Sequence, residues 1–138
     1  MSKTRSSGEK TIQTGIAILG AFVIALVIKF FILDFMISEG HSMYPAIKPG
    51  AMLLVCKGFY GLRLPGSGNY LLRWRTPQKG DVVVFFTPLG EIAVKRCGDI
   101  IPGNMFFALG DNSPQSYDSR NYGPVPDDKI IGSVLGIK

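Results

Sequence analysis

The sequence is poor in the side chains that most often bind metals or form disulfides: it has one histidine and two cysteines in 138 residues. Cys56 and Cys97 form no Cys-x-x-Cys pair and have no histidine nearby, which excludes the usual zinc sites. An external location would permit a disulfide between them, but their apolar, strand-like surroundings are more typical of buried free thiols. We expect no metal and no cofactor, and the sequence leaves the cysteine pairing open.

The single histidine also limits the catalytic machinery that the chain can build. His41 directly precedes Ser42, and neighbouring side chains on an extended chain point to opposite faces, so His41 is poorly placed to be the base for Ser42. The chain has no G-x-S-x-G motif, the turn that presents a nucleophilic serine in α/β-hydrolases. A Ser-His-Asp triad is therefore disfavoured, and we expect His41 to be a surface residue beside a functional one.

Charged residues are scarce, at 18% of the chain against 46% hydrophobic residues, and one region almost lacks them. Residues 15–28 have no polar side chain, and the apolar character continues to residue 37 with only Lys29 and Asp34 as interruptions. About 23 helical residues extend about 34 Å, enough to cross a bilayer core of about 30 Å. We predict a transmembrane anchor at 15–37. A cleaved signal peptide is the main alternative, but the run is long for one and no Ala-x-Ala site follows it.

The charge around the anchor predicts its orientation. In residues 1–14, three basic side chains face one acidic side chain, so this tail is predicted to stay in the cytoplasm and residues 38–138 to lie outside. The net charge is +5, but the basic residues form no recognition-helix pattern, so no nucleic acid partner is expected. A single anchor in a chain of this length excludes a large multidomain enzyme, a multi-span transporter and a fully soluble protein.

Beyond the anchor the sequence changes to short apolar runs separated by turn residues. Strands are predicted at 51–56, 81–86, 91–97, 105–109 and 129–135, with a tight hairpin at 87–91. The chain has 17 glycines and 9 prolines, and no amphipathic helical pattern follows residue 40. The predicted fold class is mainly β: a single N-terminal transmembrane helix followed by one small all-β domain, 38–138.

Residues 57–79 depart from this pattern because basic and apolar side chains alternate there without any acidic one. Two interpretations are equally open. The segment is either a surface that rests on anionic headgroups and inserts apolar side chains into the membrane interface, or a solvated loop whose apolar residues fold back on the sheet.

A serine nucleophile without a histidine needs another base, and Lys95 is the best-placed lysine. It lies within the apolar run Ile-Ala-Val-Lys, where burial would lower the pKa of a lysine from its ordinary value of about 10.4. From this strand alone, the simpler alternative is that Lys95 points to solvent from a half-buried strand.

Four segments taken together favour catalysis. In order, GHSMYPAIKPG (40–50), KGDVVVF (79–85), VKR (94–96) and GDNSPQSYDSRNYGPVPDDKIIGSV (110–134) closely resemble the sequence boxes of the type I signal peptidases, a serine-lysine peptidase family. The last box is long and specific. The resemblance covers nearly the whole external domain and agrees with the single N-terminal anchor.

The resemblance implies roles for individual residues. Ser42 corresponds to the nucleophile, Lys95 to its general base, and Ser116 to the serine whose hydroxyl orients the lysine amine. The main-chain N–H of Ser42 would donate to the oxyanion. Some members have a serine hydroxyl donor two residues before the nucleophile, and Gly40 stands there in this chain.

Further positions match supporting parts of the family pattern. The sequence assigns no role to two of them, Gly110 and Asn112. The remaining matches are the ion pairs Arg96 with Asp111 and Asp118 with Arg120, and the residues of the nucleophile turn and substrate cleft, Met43 and Pro45.

The chain is short after the lysine strand. Only residues 97–109 lead to the Gly-Asp-Asn box, where the family usually has a further β excursion. We therefore expect a shortened catalytic domain that retains its serine and lysine.

The resemblance implies a membrane-bound serine endopeptidase that cleaves N-terminal signal peptides from exported preproteins. It would act at the outer face of the bacterial cytoplasmic membrane, with preproteins and the phospholipid membrane as partners, and bind its substrate as an added β-strand. Two alternatives remain: a related serine-lysine processing peptidase of a conjugation or pilus system, and a catalytically inert membrane-anchored β module.

Overall fold

The computed structural model describes residues 7–64 and 69–137, beginning with a long apolar helix. Helix α1 (Ser7–Val27) continues into one wide π-helical turn, Ile28–Ile32. The segment Gly8–Ile32 is long and apolar enough to cross a membrane, and its most apolar part is not covered by the rest of the protein. This agrees with the predicted anchor.

Both ends of the helical segment differ from the predicted 15–37. Residues 7–14 of the predicted tail are already helical, while residues 1–6 lie outside the described part. The last five predicted residues form strand β1 (Leu33–Ile37), which pairs antiparallel with the strand at 52–56. The physical reason is that Asp34 forms an ion pair with Lys57 at 3.0 Å while the ladder satisfies the backbone. A count of apolar residues does not separate such a strand from the helix before it.

In the described part of the chain, eight more strands follow β1, and the mainly β prediction is confirmed. They are β2 (Met52–Cys56), β3 (Gly61–Arg63), β4 (Tyr70–Arg73), β5 (Val82–Phe86), β6 (Ile92–Ile101), β7 (Met105–Leu109), β8 (Val125–Pro126) and β9 (Ile130–Val134). Seven of the nine form one antiparallel sheet in the order β1-β2-β9-β5-β6-β7-β8, and β3 pairs with β4 in a separate ribbon. A short helix, α2 (Ser119–Tyr122), lies between β7 and β8.

Two hairpins connect the central strands. Residues 87–91 join β5 to β6 as predicted, with the N–H of Thr87 donating to the carbonyl of Glu91 at 2.8 Å. Strand β6 extends to Ile101, beyond the predicted 91–97, and returns as β7 through a tight turn in which Gly103 and Asn104 have positive φ. This simple hairpin is the shortened region that the sequence indicated.

Strand β5 is buried on both faces and divides the core into two clusters. Val83 and Phe85 pack with the first, whose other members lie mainly on β7, β8 and β9. Val82 and Val84 pack with the second, which includes residues of β2 and of the loop at 38–50. The alternation of side chains along a strand explains the division. The second cluster fixes the loop that contains Ser42.

The basic segment at 57–79 shows features of both interpretations, with residues 65–68 outside the described part. Arg73 forms an ion pair with Asp127 at 2.6 Å, and the Tyr70 hydroxyl donates to the carbonyl of Ile130 at 2.7 Å, so the ribbon folds back on the sheet. Three large apolar side chains of the segment nevertheless remain more than half exposed, namely Leu71, Leu72 and Trp74. Contact with headgroups remains a prediction.

Candidate active site

Ser42 lies on a tight turn that the core holds in place. Gly40 has a φ of 77°, which lets the chain leave the extended segment after β1 without steric strain. The N–H of Ile47 donates to the carbonyl of Met43 at 2.8 Å, and both side chains are buried in the second cluster. The Ser42 side chain is left half-exposed, next to the exposed His41.

Lys95 approaches the serine from strand β6. It pairs with Val83 of β5 across the ladder. Lys95 is only 6% exposed, so the shortened region after β6 does not leave it open to solvent. Its Nζ atom lies 2.6 Å from Oγ of Ser42, within hydrogen-bond distance. The alternative that Lys95 points to solvent is therefore not what the structure shows.

The environment of Lys95 favours its neutral form. Burial lowers the pKa of Lys95 below its ordinary value, because desolvation disfavours the ammonium ion. The carboxylate of Asp118 acts in the opposite direction, and the guanidinium of Arg120 lowers the pKa further. A neutral amine is the form that can accept a proton from a hydroxyl.

A buried carboxylate lies behind the lysine. Asp118 is fully buried, and it forms an ion pair with Arg120 at 2.5 Å and accepts the N–H of Gly110 at 2.7 Å. Burial alone would raise the pKa of Asp118, but these donors and the hydroxyl of Ser116 hold it well below its usual range. Asp118 also caps α2 by accepting the N–H of Arg120. The predicted ion pair is thus also the capping group of a helix.

Ser116 contacts the carboxylate. Its hydroxyl donates to Oδ2 of Asp118 at 2.6 Å, and within the described residues no hydrogen bond joins Ser116 to Lys95. The orienting role that the sequence predicts for Ser116 stays a prediction. In this geometry Ser116 would act on the lysine through Asp118.

Arg96 and Asp111 form the second predicted pair. Two guanidinium nitrogens of Arg96 reach the two carboxylate oxygens of Asp111, each at 2.8 Å, and a third nitrogen donates to the carbonyl of Gly80 at 3.0 Å. Such a bidentate pair fixes orientation as well as distance. It ties β6, directly after Lys95, to the loop that follows β7.

That loop also contains Gly110 and Asn112, which match the family pattern but to which the sequence assigned no role. The main-chain N–H of Asn112 donates to the carbonyl of Ser42 at 2.9 Å, and its side-chain amide donates to the carbonyl of His41 at 3.0 Å. A Cβ at Gly110 would overlap the hydroxyl of Ser116 and lie 2.7 Å from the carbonyl oxygen of Ser42. No sequence signal beyond membership of the same box indicated either contact.

Ser42 and Lys95 line a cleft of about 440 Å³ between β1 and β6. Its lining includes Met43, which is otherwise buried, and residues at the end of β1. Pro45, which was also predicted to lie in the substrate cleft, is exposed and is not among the described residues that line it. The hydrogen bond from the N–H of Ile47 to the carbonyl of Met43 turns the chain, so that Pro45 lies on the outside of the turn.

The cleft is bounded by strand edges with unpaired backbone. Within residues 7–64 and 69–137, β1 pairs with β2 and with no other strand. The segment Ile92–Lys95 pairs with β5, whereas the pairing of β6 with β7 begins at Arg96. Both edges can therefore hydrogen-bond to an extended peptide lying between them.

The cysteines are both free thiols. Burial, with smaller effects of Asp81 and Asp127, raises the pKa of Cys97 to about 12, so this thiol is protonated and unreactive at neutral pH. Across residues 7–64 and 69–137, no cluster of three or more His, Cys, Asp and Glu side chains is placed to hold a metal ion.

The antiparallel sheet thus brings a buried lysine into contact with a partly exposed serine, and sequence comparison gives the family. The profile of the family described as "Signal peptidase, peptidase S26" matches residues 11–99 and 91–137. The chain therefore belongs to the signal peptidase family S26. The two matched pieces overlap in β6, which places the interruption of the family pattern next to the short β6–β7 hairpin.

Individual relatives differ in how much of their length is matched. Signal peptidase I of Buchnera aphidicola subsp. Baizongia pistaciae is 33% identical over 87 residues, which cover 63% of this chain and 28% of that protein. The mitochondrial ATP-independent inner membrane protease subunit 1b of Arabidopsis thaliana is 30% identical over 125 residues, covering 70% of this chain and 64% of that protein. Signal peptidase I T of Bacillus subtilis is 27% identical, covering 88% and 82%. The chain spans about a quarter of the length of the Buchnera and Pseudomonas signal peptidases that it matches.

Proposed function

We propose that this protein is a membrane-bound serine endopeptidase that cleaves N-terminal signal peptides from exported preproteins with Ser42 as nucleophile and Lys95 as general base. The observation that carries the proposal is the 2.6 Å distance between Nζ of Lys95 and Oγ of Ser42, together with the burial of the lysine. Membership of the signal peptidase family supports the choice of substrate.

The chemistry starts from neutral Lys95. Its amine accepts the proton of the Ser42 hydroxyl as Oγ bonds to the carbonyl carbon of the scissile peptide. The ammonium then returns this proton to the leaving amine, and the C–N bond breaks. A water molecule, deprotonated by the same lysine, attacks the acyl-enzyme ester, and the proton goes back to Ser42 Oγ as the carboxylic acid leaves.

The negative charge that develops on the carbonyl oxygen needs a donor. Among the residues that the structure describes, the main-chain N–H of Ser42 has no acceptor, so it is free to donate to this oxyanion. Gly40 offers no side-chain donor. We propose that the orientation of this donor depends on Asn112, whose side-chain amide donates at 3.0 Å to the carbonyl of His41 in the same peptide unit.

The substrate would bind as an extended strand between β1 and residues 92–95 of β6. The free edges on both sides supply main-chain hydrogen bonds that do not depend on the substrate's sequence. The family resemblance implies that the cleft accepts small side chains near the cut. The helical segment would place this cleft beside the outer face of a bacterial cytoplasmic membrane, with the N-terminus in the cytoplasm.

The test is cleavage of a purified preprotein by the full chain in phospholipid vesicles. We expect Ser42→Ala and Lys95→Ala each to reduce the rate by about a thousandfold or more, because the two groups act as a unit. Lys79→Ala is the matched control, since this lysine is exposed and forms its ion pair with Asp99, away from the cleft lining. Full activity in either dyad variant would refute the mechanism. A wild-type chain that cleaves no preprotein would favour the inert module, and cleavage of conjugation or pilus precursors alone would favour the related processing peptidase.

A further inference from the structure

A second and larger cavity lies beside the cleft, on the side of the helical segment. It has a volume of about 740 Å³, in the usual range of ligand pockets, and we call it the membrane-proximal pocket. Phe30 and Phe31, at the end of the helical segment, form one wall, and Phe86 and Ile131 of the sheet lie on another. The mechanism does not use this pocket.

The pocket borders on the cleft. Met36 of β1 and Ile92 of β6 line both cavities, so an extended chain that passes these two side chains would lead from one cavity to the other. A peptide bound at Ser42 therefore has only one of its two ends directed into the pocket.

The direction of the two bounding strands identifies that end. Strand β1 starts directly after the helical segment and leads toward Ser42, and β6 runs from Ile92, at the pocket, to Lys95, at the serine. A substrate that emerges from the bilayer before its cleavage site runs in the same direction as both strands. The residues in the pocket are then those on the N-terminal side of the cut.

The spacing indicates which residues these are. Ile92 precedes Lys95 by three positions, or about 10 Å of extended strand at about 3.3 Å per residue. A substrate parallel to β6 reaches Ile92 about three to four residues before the cut. The residues about five to nine before the cut then occupy the pocket.

The charges at the pocket distinguish an apolar peptide from a phospholipid headgroup. Lys57 is paired with Asp34 at 3.0 Å, and Arg63 donates to the carbonyls of Asp128 and Ile130. Of the three cations that line the pocket, these two are held by the protein itself, and Lys129 lies at the exposed rim. The lining therefore offers apolar surface rather than a site built for a phosphate.

We propose that the membrane-proximal pocket binds the apolar segment that precedes the cleavage site of the substrate, and so selects substrates by the hydrophobicity of that segment. The proposal rests on the proposed function, because it names a second binding region for the same substrate. Burial of one aliphatic side chain in such a pocket changes the rate about tenfold or more.

The first test compares two substrates on matched variants of the full chain in vesicles. One substrate carries four leucines at positions six to nine before the cut, and the other begins five residues before the cut. Leu64→Asn places an amide in the pocket lining. Leu71→Asn is the control, because Leu71 is an exposed leucine of the neighbouring strand β4 and does not line the pocket. We expect Leu64→Asn to lower kcat/KM about tenfold for the long substrate and to leave the short one unchanged. Equal effects on both substrates, or no effect on either, would overturn the proposal.

The second test does not require cleavage. A photoreactive phenylalanine analogue, eight residues before the cut of the long substrate, is irradiated with the Ser42→Ala variant. Crosslinks to the segments that line the pocket are expected, namely 30–36, 57–64, 86–92 and 125–131, and crosslinks confined to residues outside these segments would overturn the proposal. A photoreactive phosphatidylglycerol that labels these residues and is not displaced by the peptide would make the pocket a lipid site instead. If the wild type cleaves neither substrate, the proposed function fails, while the crosslink still decides whether the pocket binds the peptide.

Discussion

The main-chain N–H of Asn112 donates to the carbonyl oxygen of Ser42 at 2.9 Å, so the loop after β7 holds the peptide unit that follows the proposed nucleophile. The side-chain amide of Asn112 donates a second hydrogen bond, to the carbonyl of His41. Two segments about 70 residues apart in sequence are thereby fixed against each other. This relationship assigns a positioning role to a residue that has no chemical function in the reaction.

Asn112→Ala removes the amide bonds to His41 and to Gln115 and leaves the main-chain bond to Ser42. We expect kcat to fall about tenfold with little change in KM, because a misplaced nucleophile affects the chemical step more than substrate binding. Gln115→Ala is the control, since it removes only the bond between the two side chains. A kcat equal to that of the wild type would contradict the positioning role, and steady-state kinetics on a peptide substrate measure it.

Gly110→Ala tests the close approach between the loop and the nucleophile turn. The added Cβ would overlap the Ser116 hydroxyl and crowd the carbonyl of Ser42, so the backbone must shift. We expect loss of activity by about a hundredfold and destabilisation by about 1–3 kcal/mol, measured by cleavage and by thermal unfolding.

Gly98→Ala provides the comparison for this substitution. There the nearest atom to an added Cβ is the end of the flexible Leu109 side chain, which can rotate away, and the carbonyl oxygen of Phe107, at 3.2 Å, needs to shift by only a few tenths of an ångström. Activity close to wild type is expected for Gly98→Ala, and comparable losses in both variants would show that the Gly110 contact has no special role.

Arg120→Ala tests the electrostatic control of Lys95. Without the guanidinium, the negative charge of Asp118 is no longer balanced, which favours the ammonium form and raises the pKa of Lys95. Because the neutral amine is the active form, the acidic limb of the kcat/KM profile should move to higher pH. Arg120→Lys restores the charge and should move the limb back, whereas a purely structural role would lower activity without moving it. The pH profile of each variant decides between these outcomes.

Much of the fold follows from local sequence. Short apolar runs between glycine and proline turns predict β2, β5, β6, β7 and β9, because alternation and turn chemistry act over a few residues. The same reasoning predicts an apolar helix but not where it ends. Residues 33–37 become a strand because β2 offers a pairing edge, and this partner lies elsewhere in the sequence.

Local patterns and the long motif are enough to predict the fold class, the family resemblance, and Ser42 and Lys95 as candidate nucleophile and base. Three features could be read only from the folded chain: the 2.6 Å between Oγ of Ser42 and Nζ of Lys95, the burial of Asp118 behind them, and the second pocket beside the cleft. Burial and proximity arise from the packing of strands that are distant in the chain, and both the pKa of Lys95 and the proposed path of the substrate depend on that packing.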